Sequence, residues 1–138
     1  MKKILKSSVL VIFALVCLLG LTACGNEVSK DSLWENATYL EDTTLGEGST
    51  TFKMVVTAGE NSITFTVNTN KETVGAALSE HKIIEGENGL YTKVNGITAD
   101  YNVDQSYWSF YVNDAYATEG MDTTKIEKDT TYKLEYTK

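Results

Sequence analysis

The chain has 138 residues, with 12 lysines against 19 Asp or Glu, a formal charge of −7, and neither Arg nor Pro. That length allows one domain at most, and the acidic balance argues against nucleic acid, whose phosphates attract basic surfaces. Both cysteines, Cys17 and Cys24, lie near the N-terminus, so the rest of the chain can form neither a disulfide nor a cysteine-ligated zinc site.

The first element is a leader. Lys2, Lys3 and Lys6 precede an unbroken apolar run from Val9 to Leu19, followed by Leu21-Thr22-Ala23-Cys24. The run is shorter than the ~20 residues of a membrane-spanning helix and predicts a secretory signal peptide over residues 1–23. Leu-Thr-Ala-Cys resembles the bacterial lipobox, in which the cysteine thiol receives a diacylglycerol and becomes the new N-terminus. Cys24 is therefore the expected lipidation site, and the outer face of the cytoplasmic membrane the expected location. Loss of the leader's three lysines takes the formal charge from −7 to −10. An acidic domain of that kind is held to the membrane by its lipid and repelled by anionic headgroups.

Residues 24–50 are polar and acidic, without a sustained apolar period, and predict a flexible tether. At about 25 residues it would span roughly 25–30 Å. Leu33-Trp34 and Tyr39-Leu40 interrupt it and either pack on the domain as an arm or stay exposed; packing is the favoured alternative, because a free Trp in a solvated tether is a liability.

The domain is expected over residues 51–138. In Thr51 to Asn68, Phe52, Met54 and Val56, then Ile63, Phe65 and Val67, alternate with mainly polar residues around Gly59-Glu60-Asn61, which predicts an antiparallel hairpin. The period then changes. Val74, Ala77, Leu78 and His81 fall on one helical stripe over Asn70 to His81, with Thr73, or Thr69 through a capping box, at its start. After a loop at Glu85 to Gly89, Leu90 to Val94 and Ile97 to Ala99 flank Asn95-Gly96, a strong hairpin signal. A loop from Asp100 to Ser106 leads to an aromatic strand, Tyr107 to Val112. Asn113-Asp114 turns it into Ala115 to Ala117, and the last strand runs from Thr131 to Tyr136. This order predicts an α+β, β-grasp-like domain, one short helix on a mixed sheet with hairpins; a β-sandwich with an incidental helix is the alternative.

Catalytic chemistry finds little support. His81 is the only histidine, no nucleophile-elbow motif accompanies it, and no carboxylate pair is recognisable. Asp100 to Asp104 matches the first half of an EF-hand loop, but Gln105 replaces the required Gly and Tyr111 the bidentate Glu. A solvated acidic loop is the default, and neither a metal nor another cofactor is expected. The protein is not expected to be an enzyme.

Binding is better supported. Tyr107 to Tyr111 holds four of the fourteen aromatic residues, and Tyr101 and Tyr116 flank it. Alternation puts Trp108, Phe110 and Val112 on one face, read as core against the helix stripe, and Tyr107, Ser109 and Tyr111 on the other. Two tyrosines beside a small serine form a platform that suits a flat ligand, or else merely cover the second sheet face.

Thr73-Val74-Gly75-Ala76-Ala77-Leu78, Val94-Asn95-Gly96-Ile97, Tyr107 to Asn113, Glu119-Gly120 and Lys128 to Tyr132 together resemble the bacterial family of transcobalamin-C-terminal-like domains. These are domains of unknown function found in surface lipoproteins. The same stretches are similar to the small β-domain that ends transcobalamin and intrinsic factor. The resemblance spans Lys71 to Lys138 and implies a β-grasp-like fold that binds a soluble ligand through Tyr107, Trp108, Tyr111, Asn113 and Tyr116. Two departures stand out. Asn113-Asp114 replaces the family's usual Asn-Gly turn, and the helical domain that completes the cobalamin site is not in this sequence. Cobalamin is thus suggested by ancestry alone. The expected function is a monomeric, lipid-anchored binding domain for a small ligand, with a structural or adhesive surface module as the alternative.

Overall fold

The computed structural model describes residues 32–138. Residues 1–31, where the signal peptide, the lipidated Cys24 and the head of the tether are expected, lie outside the described residues. The elements are a 3-10 turn (Trp34–Asn36), β1 (Thr43–Leu45), β2 (Thr50–Ala58), β3 (Asn61–Thr69), α1 (Val74–Glu80), β4 (Ile84–Glu87), β5 (Leu90–Val94), β6 (Ile97–Thr98), α2 (Tyr101–Asp104), β7 (Tyr107–Val112), β8 (Ala115–Tyr116) and β9 (Thr131–Thr137). They form a six-stranded sheet, β1-β3-β2-β9-β7-β8, and a three-stranded sheet, β4-β5-β6. The large sheet is mixed: β2 runs parallel to β9, β1 parallel to β3, and the other pairs are antiparallel. The α+β expectation therefore holds.

The hairpin alternation becomes the core through register. Ile63 faces Val56, Val56 faces Leu134, and Leu134 faces Phe110, giving one apolar row across four strands. Phe65, Met54, Tyr132 and Val112 form the next row. Val74, Ala77 and Leu78 of α1 are fully buried, as the helical stripe requires. Thr73 caps the helix, its hydroxyl accepting from the Ala76 N–H at 3.3 Å, so the capping box one turn earlier is not used. His81 ends the helix half-buried beside Gly46, its Nε2 without a hydrogen-bond partner among the described residues.

Both two-residue turns read from sequence are present. Asn95-Gly96 and Asn113-Asp114 each place two successive residues at positive φ, the condition that a tight hairpin imposes. Two loops were in fact structured. Glu85 to Gly89 holds all of β4 but its first residue, an edge strand with an irregularity at Glu85/Gly86 and no apolar alternation to betray it. Asp100 to Ser106 contains α2, whose N-terminus Asp100 caps by accepting from the Asn102 N–H at 3.0 Å.

The described part of the tether is not free chain. Trp34 is completely buried and its indole N–H donates to the Ala58 carbonyl at 2.9 Å. Tyr39 packs edge-on to Phe65 at 5.4 Å, and β1 extends the sheet beside β3. The buried Asn95 holds this arm: its side-chain amide both accepts from the Tyr39 N–H and donates to the Tyr39 carbonyl, each at 2.9 Å. Gly96 permits the approach, since a side chain there would run into the Asn36 carbonyl. The boundary drawn at residue 51 thus moves back to about Leu33. Packing of Trp34 agrees with the expected arm; a flexible coil over residues 33–50 does not.

Candidate functional site

The aromatic strand β7 has two faces with different fates. Phe110 is buried and stacks on Tyr132 with ring centres 6.1 Å apart. Trp108 lies on the same face but one row nearer the end of the sheet, opposite Tyr136, which it meets edge-on at 5.6 Å. It is only half-buried, because beyond it the large sheet is left open as one wall of a cleft.

The other face is already occupied. Ser109, expected to be the floor of a tyrosine platform, is buried and shares a 2.7 Å hydrogen bond with Thr137. Tyr111 is half-buried, edge-on to Tyr116 at 5.4 Å, with the Lys133 ammonium 4.4 Å from its ring centre. That ammonium also pairs with Glu135 at 3.0 Å. Tyr111 is thus a self-contained surface contact that does not line the cleft, and it shares no open platform with Tyr107. Asn113 does not line it either. It is exposed in its turn, where its backbone N–H donates to the Thr131 carbonyl at 3.0 Å.

The cleft has a volume of about 480 Å³. Its aromatic walls are Trp108 and Phe110 from the strand, Tyr91 from β5, Tyr101 from α2, and Tyr107 and Tyr116 at the rim. Met121 and Glu119 close the side formed by the connection between β8 and β9. Of the expected site residues the structure thus brings together Tyr107, Trp108 and Tyr116. Tyr91, Leu90, Met121 and Glu119 were missed, and Tyr101 was noticed only as part of the local crowding. Large exposed apolar side chains are concentrated here: Leu90, Tyr101, Tyr107 and Tyr116 line the cleft, and Val103 shares α2 with Tyr101. A second, more polar hollow of about 620 Å³ lies across the Tyr116–Glu119 segment, bounded by Lys125 and Glu127.

The wall carrying Met121 is latched to the rest. The Tyr91 hydroxyl donates to the Asp122 carboxylate, and the Gly75 N–H donates to the Met121 carbonyl at 2.9 Å. A methyl group on Gly75 would overlap that carboxylate and lie 3.1 Å from the Asp122 backbone, so glycine sets how closely the wall approaches the helix. Burial, reinforced by the hydrogen bond to Asp122, raises the Tyr91 phenol above its ordinary pKa and keeps it neutral.

The opposite wall is braced by Asp104. Its carboxylate accepts from the Ser106 hydroxyl and backbone N–H, lies 3.4 Å from the Tyr136 hydroxyl, and pairs with Lys138 at 3.6 Å. The Ser106 hydroxyl bond is the largest influence holding this carboxyl below the usual range. Among the described residues no three His, Cys, Asp or Glu side chains converge as a metal ion would need, and His81 lies away from the cleft.

Comparison with known proteins places this geometry in a family context. Residues 71–138, the span of the sequence resemblance, match the model of a family described as Domain of unknown function (DUF4430). A search of curated proteins found no match. Among solved structures the chain is similar to a candidate metal-binding protein from Ruminococcus gnavus ATCC 29149, with 20% identity and a TM-score of 0.62 over 65% of this chain and 98% of that one. It is also similar to haptocorrin in complex with Cbi, with 15% identity and a TM-score of 0.53 over 68% of this chain and 26% of that one. At such identities the likeness is one of fold alone, and the chain corresponds to about a quarter of haptocorrin. Residues 71–138 thus carry a DUF4430 match, on a fold shared with these two solved structures.

Proposed function

We propose that this protein is a lipid-anchored, extracytoplasmic binding domain that takes a small soluble ligand in the cleft beside Trp108. The observation that carries the reading is the cleft itself: six aromatic side chains converge on a volume of about 480 Å³, within the range of small-molecule sites. Trp108, Tyr107 and Tyr116 keep the binding role that the family resemblance implies, Tyr91 and Tyr101 join them, and Tyr111 and Asn113 leave it. A β-grasp-like description is supported by the order β3-β2-β9-β7, in which the parallel pair β2 and β9 lies between two antiparallel partners. The anchor is supported by the charge, length and closing Leu-Thr-Ala-Cys of the leader.

What the structural neighbours bind is not transferred whole. The metal of the Ruminococcus candidate finds no cluster of ligands among the described residues, and the haptocorrin complex involves a chain about four times longer than the part matched here. No acid–base pair or activated nucleophile lines the cleft, which favours binding without catalysis. The alternative, an adhesive module, is favoured by the exposed apolar rim of Leu90, Tyr101 and Tyr116, which a protein partner could cover.

A thermal-shift screen of soluble compounds on the purified protein tests the reading, since a ligand selective for the folded state raises the midpoint. The expected result is a shift that Tyr101→Leu and Tyr116→Leu both reduce. A shift untouched by these changes would move the site elsewhere. Membrane fractionation of Cys24→Ala tests the anchor: a mature, membrane-bound product would overturn it.

A further inference from the structure

We propose that the cleft selects an organic cation whose charge sits on an alkylated, quaternary ammonium group; this rests on the reading of the cleft as a ligand site. Three observations lead there. First, six aromatic rings contribute to the lining, and the negative face of a π-system attracts a cation, most strongly when water is displaced. Secondly, among the described residues Glu119 is the only charged one in the lining, and no lysine or histidine contributes. The Asp122 carboxylate lies just behind, receiving the Tyr91 hydroxyl, and the protein as a whole carries a charge of −7. An anionic ligand would find no counter-charge there, whereas a cation meets carboxylates and rings together.

Thirdly, the other side of β7 supplies an internal reference. There an aromatic residue, Tyr111, is covered by a resident cation, Lys133, at 4.4 Å. Similar chemistry on the cleft side has no lysine to complete it, and an incoming ligand would bring the missing charge. The choice of an alkylated over a primary ammonium follows from hydrogen bonding. A primary ammonium needs three acceptors to replace its water. In the lining the Ser106 oxygen is engaged twice, accepting from the Asp100 N–H at 3.0 Å and donating to Asp104, and Glu119 adds a carboxylate. A quaternary ammonium donates no hydrogen bond and suits walls of rings and one carboxylate. At about 480 Å³ the cleft also has room for a substituent larger than the ammonium head.

Calorimetric titration of the purified full-length protein with choline, its uncharged carbon isostere 3,3-dimethyl-1-butanol, and ethanolamine is the test. Choline should bind about tenfold or more tighter than the isostere and than ethanolamine. Glu119→Gln, Tyr101→Leu and Tyr116→Leu should each weaken choline several-fold and the isostere by a smaller factor. Glu119 and Tyr101 are exposed, so their variants should retain the parent melting temperature, whereas Tyr116→Leu gives up its ring contact with Tyr111 and should lower it slightly. Added salt should weaken choline binding to the parent more than to Glu119→Gln. If the isostere binds as tightly as choline, the cation is overturned while the ligand-site reading survives. If ethanolamine matches choline, the quaternary requirement fails. Binding of none of the three overturns the cation proposal, and the broad thermal-shift screen then decides the site independently.

Discussion

The two faces of β7 carry the same kinds of residue and end in opposite states. On one, Tyr111 is enclosed by a tyrosine from β8 and a lysine from β9, and Ser109 is bonded to Thr137. On the other, Phe110 is buried but Trp108, two residues away, stands half-covered over open space. Aromatic content alone does not mark a binding surface. What marks it is whether neighbouring elements have already supplied the contacts. Around Tyr111 the adjacent strands do so by direct cross-strand pairing, whereas past Phe110 the two sheets diverge into a cleft.

The most severe way to probe this contrast is to truncate both residues of the inner face. Phe110→Ala should cost about 3–5 kcal/mol in chemical denaturation, since it removes a buried ring stacked on Tyr132. Trp108→Ala should cost clearly less despite the larger side chain, because part of its surface already faces the cleft. Equal losses would mean that Trp108 is ordinary core. Next in size is Gly75→Ala. In an exposed helix interior this change is stabilising by roughly 1 kcal/mol. Here the added methyl meets the Asp122 carboxylate and backbone, so a net loss of about 1–3 kcal/mol is expected, with weakened ligand binding as the Met121 wall is displaced. A more stable variant with unaltered binding would show that the wall yields freely.

Smaller again is Tyr111→Ala on the satisfied face. Loss of one edge-on ring contact and one cation–π contact should amount to about 1–2 kcal/mol, with ligand affinity unchanged. An affinity loss comparable to that of Tyr116→Leu would restore Tyr111 to the site. The mildest effect is the pH dependence contributed by Asp104. Its folded-state pKa lies below the unfolded value, so its stabilisation is present above the unfolded carboxylate pKa and disappears as pH falls through the folded one. Asp104→Asn should therefore lower the midpoint of thermal unfolding at neutral pH, and the gap to the parent should close on acidification. A gap independent of pH would assign the effect to packing of α2.

Much of this architecture is local and can be read along the chain. The period-two runs of Phe52 to Val56 and Ile63 to Val67, the stripe of Val74, Ala77 and Leu78, the Thr73 cap, and the turns at Asn95-Gly96 and Asn113-Asp114 depend on neighbouring residues and backbone conformation. So does the alternation of β7, which separated Phe110 and Trp108 from Tyr111, although Tyr107 still reaches the rim of the cleft. Alternation assigns residues to two faces, but it cannot say how far along a face its cover extends. That was decided by register and by partners distant in sequence: Tyr136 rather than the helix stripe beside Trp108, Lys133 over Tyr111, and Tyr91 and Met121 across the cleft. The arm shows the same limit. Trp34 and β1 have no period of their own, and their place depends on the Ala58 carbonyl, the Asn95 amide and the free edge of β3. Contacts of that kind join residues far apart in the chain, and only the folded backbone brings their hydrogen-bonding and apolar groups within reach.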